Sequence, residues 1–82
     1  TMPTSTLTAA DLTDGAISLA DLMIKAGLAP SKGEVRRLVQ QGGVSVNDVK
    51  VNDFAESFAE AALRSGLIVK KGKKVFHKVV LE

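Results

Sequence analysis

Ala29-Pro-Ser-Lys-Gly-Glu-Val-Arg-Arg-Leu-Val-Gln-Gln-Gly-Gly-Val-Ser-Val-Asn-Asp-Val-Lys-Val51 decides the fold, because it holds a helix start, a helix, a stop and a hairpin in one run. Pro30 keeps Ala29 out of helical geometry and sets a turn. Ser31 followed by Glu34 reads as a capping box, in which each side chain satisfies a backbone amide of the other's turn. Val35, Leu38 and Val39 then fall on one side of a helix. Lys32, Arg36 and Gln40 recur every fourth residue on another side, with Arg37 and Gln41 beside them. Gly42-Gly43 stops the helix. Valines 44, 46, 49 and 51 frame Asn47-Asp48, a pair that tolerates the positive φ of a tight two-residue turn. These four valines are expected to face the helices, with Ser45 and Lys50 facing out.

Working outward, Ser18 caps a helix over 19–26, with Asp21 as an acidic partner three residues on. Leu19, Leu22, Met23 and Ala26 mark its buried face, and Gly27 ends it. On the other side of the hairpin, residues 52–64 read locally as helix, with Phe54 and Phe58 turned to the core. Residues 67–70 and 75–81 read as strands joined through Lys71-Gly72. Residues 1–16 lack a sustained apolar stripe and read as a flexible lead-in, with a short turn around residues 8–12. The chain opens Thr1-Met2-Pro3, as a domain taken from a longer enzyme would. The expectation from these elements is an α+β domain over residues 17–82, with two principal helices and two hairpins.

Charge is segregated although the formal net charge is only +2. Residues 1–24 carry Asp11, Asp14 and Asp21 and no base. Residues 25–41 carry Lys25, Lys32, Arg36 and Arg37 against Glu34 alone. Residues 42–63 are again acidic, and residues 64–82 carry six bases against Glu82. Two basic segments in a near-neutral chain can assemble a face for a polyanion. The helix over 31–41 offers such a partner its positive dipole end and free amides. It also offers a Lys/Arg/Gln stripe for phosphate and sugar hydroxyls. Lys70, Lys71, Lys73 and Lys74 surround one turn, more lysine than is needed to blunt a sheet edge. Asn47 is explained by its turn, and an RNA contact is a second use for it.

Other chemistries lack their residues. There is no cysteine, and the one histidine, His77, has neither a metal-ligand set nor a group to orient it as a base. Lys71-Gly72-Lys73-Lys74 lacks the spacing of a phosphate loop. Glu56 and Glu60 read as solvated carboxylates. Three phenylalanines, none interleaved with Lys or Arg along a strand, argue against a base-stacking sheet. No run approaches the ~20 apolar residues of a membrane helix. The absence of cysteine fits a cytoplasmic location.

Residues 18–51 resemble the S4 RNA-binding module through Leu19-Ala-Asp-Leu-Met-Ile-Lys-Ala-Gly-Leu-Ala-Pro-Ser-Lys-Gly-Glu-Val-Arg-Arg-Leu-Val-Gln-Gln-Gly-Gly-Val-Ser-Val-Asn47. Val69-Lys-Lys-Gly-Lys-Lys-Val-Phe-His77 narrows the resemblance to the C-terminal domain of bacterial tyrosyl-tRNA synthetases. The resemblance implies a small α+β, S4-like fold, with two principal helices packed on a bent antiparallel sheet of about four strands, that binds tRNA(Tyr) at the anticodon stem and long variable arm. It implies an RNA face of Ser31, Lys32, Arg36, Arg37, Gln40 and Gln41, with Asn47 at the hairpin and Lys70, Lys71, Lys73 and Lys74 extending it. It implies no cofactor here, since ATP and Mg belong to a catalytic domain outside these residues, and a monomeric isolated domain. The alternatives are the S4 domain of an rRNA pseudouridine synthase or ribosome-associated protein, and a basic module for an acidic protein.

Overall fold

The structure, a computed structural model, describes residues 2–82. In chain order it runs β1 (Thr4–Leu7), a 3-10 turn (Ala9–Asp11), β2 (Ala16–Ser18), α1 (Leu19–Lys25), α2 (Lys32–Gln40), β3 (Val44–Val46), β4 (Val49–Lys50), β5 (Ser57–Ala59), α3 (Glu60–Ser65), β6 (Leu67–Lys71) and β7 (Val75–Leu81). Five strands form one sheet in the order β1-β7-β6-β3-β4, and β2 and β5 form a separate antiparallel pair. The architecture is α+β, as expected.

Local chemistry explains the central helices. The Ser18 hydroxyl accepts the Asp21 amide at 3.2 Å, and the Ser31 hydroxyl accepts the Glu34 amide at 3.3 Å. Only this half of the Ser31 box forms, because the Glu34 carboxylate turns to Arg37 instead. Both helices end alike. Gly27 and Gly42 take φ of +76° and +70°, and the following amides, of Leu28 and Gly43, return to the carbonyls of Met23 and Leu38. This double-bonded left-handed cap needs a residue without Cβ strain.

The hairpin turn is as read: Asn47 and Asp48 have φ of +50° and +68°, and Val46 pairs with Val49. Asn47 does more than turn. Its backbone amide donates to the Ile68 carbonyl, and its side-chain Oδ1 accepts the Ile68 amide, both at 2.9 Å. The side chain thereby extends the β3–β6 ladder by one step. Val44, Val46 and Val51 are buried, but Val49 is 69% exposed. It sits on the short edge strand, where no neighbouring strand lies beyond it.

Three expectations are corrected. Residues 4–7 are not part of a flexible lead-in. They form β1, parallel to β7 with Thr4 opposite Lys78 and Leu7 opposite Leu81, and Leu7 is buried. The fold therefore starts near Thr4 rather than at residue 17, and the sheet is mixed and five-stranded. Residues 52–59 are not helical. An Asx turn, with the Ala55 amide on the Asp53 carboxylate at 2.8 Å, leads into β5, and helix resumes only at Glu60. Pairing of Ile17 with Phe58 outweighs the local preference of an Ala/Glu/Phe run for helix.

All these elements share one core. Leu19, Leu22, Met23, Val35, Val44, Leu63, Val69 and Val79 are its most enclosed side chains. They come from the inner sheet face and from all three helices among the described residues. His77 lies on the inner face beside β1, where its Nε2 and the Ser5 hydroxyl share a 2.6 Å hydrogen bond.

Candidate nucleic-acid interface

Helix α2 lies over the core on Val35 and Val39 and leaves its other side in solvent. Ser31, Lys32, Arg36, Arg37, Gln40 and Gln41 are all exposed, so the sequence-predicted stripe exists as one surface. Its members are not equally free. Arg37 makes a two-oxygen ion pair with Glu34 one turn back, with the Nε–Oε1 bond at 2.9 Å. The guanidinium holds the Glu34 carboxyl below its ordinary range, and the carboxylate raises Arg37 in return. Lys32 stands 3.9 Å from Asp21, which ties α2 to α1.

Arg36 is placed by a residue that sequence reading turned only to the core. Its guanidinium lies over the Phe54 ring, 4.8 Å from the centroid. The two side chains, with Lys32 and Gly33, line a shallow hollow of about 290 Å³ at the helix start. Cation and ring attract through the ring's quadrupole, and the ring also limits where the guanidinium can swing. The nitrogen edge stays open to solvent, which suits forked recognition of phosphate. No local signal announces Phe54, since it lies eighteen positions from Arg36 in sequence.

The basic turn between β6 and β7 is tied to the segments on either side of α2. The Lys71 ammonium donates to the Leu28 carbonyl in the α1–α2 connector at 2.7 Å, and the Gly72 amide donates to the Gly43 carbonyl at 2.7 Å. These bonds dock the turn against both ends of the α2 segment. Lys73 and Lys74 are exposed at its tip. Lys71 thus acts as a strut, and its charge also helps keep the Glu34 carboxyl ionised. Lys70 leaves by the other sheet face, where its ammonium lies 5.5 Å from the Phe76 ring centroid. Asn47 sits at the far end of β3 from this turn, with its Oδ1 engaged by Ile68. Of the sequence-predicted residues, the α2 set shares one surface and Lys71 reaches the connector that precedes it, while Lys73 and Lys74 stand exposed at the turn, Lys74 beside Met2, Pro3 and Phe76. Lys70 and Asn47 lie apart from them.

This arrangement can hold a polyanion through charge and planar donors, with the helix start adding amides. Among the described residues, no three His, Asp or Glu side chains gather as a metal set, and no helix is long and apolar enough to cross a membrane.

Comparison with known proteins agrees in one direction. The family profile described as "Tyrosine--tRNA ligase SYY-like C-terminal domain" matches residues 2–79. The chain is 48% identical over 81 residues to a tyrosine–tRNA ligase of Acetivibrio thermocellus, covering 98% of this chain and 20% of that protein. It is 50% identical over 78 residues to the tyrosine–tRNA ligase of Lachnoclostridium phytofermentans, covering 93% and 19%. The ligase of Clostridium botulinum strain Loch Maree is 42% identical over 82 residues, covering 99% and 19%. The chain spans about a fifth of the length of these relatives.

Proposed function

The chain belongs to the SYY-like C-terminal domain family of tyrosine–tRNA ligases, and on that premise we propose that it is a tRNA-binding domain working beside a catalytic domain outside these residues. The finer reading is tRNA(Tyr), held at the anticodon stem and long variable arm. The domain acts in the cytoplasm, as a monomer when isolated, and uses no cofactor of its own. ATP and Mg belong with the aminoacylation chemistry of the catalytic domain. Tethering to that domain lets a modest module contribute fully, because it raises the effective concentration of the second contact.

One observation carries this reading. The Lys71 bond to Leu28 brings two basic segments, thirty-odd positions apart in sequence, onto one side of the domain. On this reading the exposed α2 stripe and the lysines of the turn serve one phosphate-binding surface. Arg36, with its fork open and its guanidinium held on Phe54, is the best-prepared donor. Arg37 must exchange Glu34 for phosphate, so Glu34 tempers affinity.

The test is an NMR titration of the labelled chain with tRNA(Tyr) and with a short-variable-arm tRNA, at two salt concentrations. Shifts on residues 31–41 and 71–74 that favour tRNA(Tyr) and fade with salt are expected. Log affinity should fall with log salt by about 0.7–0.9 per phosphate neutralised. Arg36→Gln should reduce that slope by about one contact. Glu34→Gln should tighten binding by freeing Arg37. Equal shifts with both tRNAs would leave a general RNA binder. Silence at low salt would reject RNA binding and favour an acidic protein partner.

A further inference from the structure

The sheet has a second face that no helix covers. Register pairs place Lys70 beside Phe76, Ile68 beside Lys78, and Ser45 beside both Lys70 and Lys50, all on the side away from the core. Within the strands, no described residue on this face is acidic. Phe76 is 40% exposed there and Ile68 38%. Along β7, Phe76 and Lys78 alternate on this face, and the β6–β7 pairing sets Lys70 and Ile68 beside them.

We propose that this face is a second RNA-contacting surface, on which an unpaired nucleotide stacks on Phe76 while Lys70 and Lys78 hold its flanking phosphates. The proposal rests on the RNA-binding reading of the domain and extends it from duplex to single-stranded features. Helix α2 packs on the opposite side of the sheet, so an RNA helix lying along α2 does not reach Phe76. A strand that leaves that helix past the Lys73-Lys74 tip does. Beside the ring, Met2, Pro3, Lys74 and Val75 line an open hollow of about 530 Å³, with Lys74 as its cation.

The occupant follows from charge and shape. A face whose strands carry Lys50, Lys70 and Lys78 and no acidic residue complements a polyanion. A flat exposed ring among lysines is the arrangement by which single strands are held, because every base has a π-face and every linkage a phosphate. The Lys70 ammonium, now over the ring, is on a flexible stem and can move to a phosphate when a base takes its place. That exchange is favourable, since an exposed cation–π contact is weaker than a base–aromatic stack.

The test uses the 82-residue chain labelled at backbone amides and phenylalanine rings. The probes are an octaadenylate strand and a short blunt RNA duplex, titrated separately. Octaadenylate is expected to move the Phe76 ring signals upfield and to shift the amides of Lys70, Phe76 and Lys78, with α2 unaffected. The duplex is expected to do the reverse. Phe76→Leu should weaken octaadenylate binding about tenfold, within the range of one lost base stack, and Phe76→Tyr should preserve it. Amide dispersion checks that both variants fold. Octaadenylate shifts confined to α2, or equal binding by Phe76→Leu, would overturn the proposal. Duplex binding with no octaadenylate binding would overturn it alone and leave the face to a protein neighbour. Loss of both would overturn the RNA-binding reading itself.

Discussion

The β3–β4 hairpin and the β2–β5 pair are both short antiparallel ladders, yet they are specified in opposite ways. In the hairpin, Val46 meets Val49 across two residues whose positive φ suits Asn and Asp. In the other, Ile17 meets Phe58 across forty intervening positions, and no turn joins the two strands: the tight Asp14-Gly15 turn leads into β2 but does not connect it to β5. One ladder is written into its own few residues. The other exists because the core around Leu19 and Leu63 brings its strands together. The same division runs through the molecule: residues 19–51 carry their own instructions, while residues 4–18 and 57–65 are recruited to close the core.

Cutting the recruited pair should have the largest effect. Ile17→Ala removes a buried side chain from β2 and should cost about 2–4 kcal/mol in urea unfolding. If residues 19–51 stayed folded while the rest melted, the two regions would be separate folding units and the comparison would sharpen. A single transition would show that the local unit still depends on its shell.

The hairpin should respond more mildly and in two parts. Asn47→Ala loses both the left-handed preference and the Oδ1 bond to the Ile68 amide, for about 2 kcal/mol together. Asn47→Gly should recover the conformational part and lack only the bond. Equal losses in the two variants would mean that the turn's backbone is not what defines the hairpin. Ser31→Ala should cost about 1 kcal/mol through the lost cap of α2, read as faster exchange of the Glu34 amide.

The smallest effect is set by pH. Asp11 is held below its ordinary 3.8, first by the Thr8 amide and then by Lys25, and Glu34 below its ordinary 4.5 by Arg37. A carboxyl depressed in the folded state stabilises above its unfolded pKa, and that stability is lost as pH falls through the folded value. Both groups are at the surface, so the gain is small. The melting-temperature gap between the parent and Asp11→Asn should be widest near neutrality and close below about pH 4. A gap that persisted in acid would mean that the asparagine disturbs the 3-10 turn itself.

What could be read from the sequence follows the same line. Caps at Ser18 and Ser31, the glycines after each helix and the Asn47-Asp48 turn act over a few residues, so their signals are local. β1 gives no such signal, because Thr4-Ser5-Thr6-Leu7 has a single apolar residue and its partner is the last strand. β5 is hidden inside a run with helical composition, and only pairing with β2 decides it. In the candidate interface, the α2 stripe was legible from its four-residue spacing. The Phe54 support under Arg36 and the Lys71 strut were not, because each joins segments distant in sequence, and the Lys70–Phe76 pair depends on the register of the β6–β7 hairpin.

The parallel pairing of β1 with β7 also orders events during synthesis. Thr4 must wait for Lys78, 74 positions later, which at ribosomal speed is on the order of 4–15 s. Through that interval β1 is an orphan strand, and orphan strands invite pairing with other chains. Three of its four residues are Ser or Thr, so it lacks the apolar run that makes a nascent segment adhesive. The composition that makes β1 inconspicuous on paper also keeps it safe until its partner emerges.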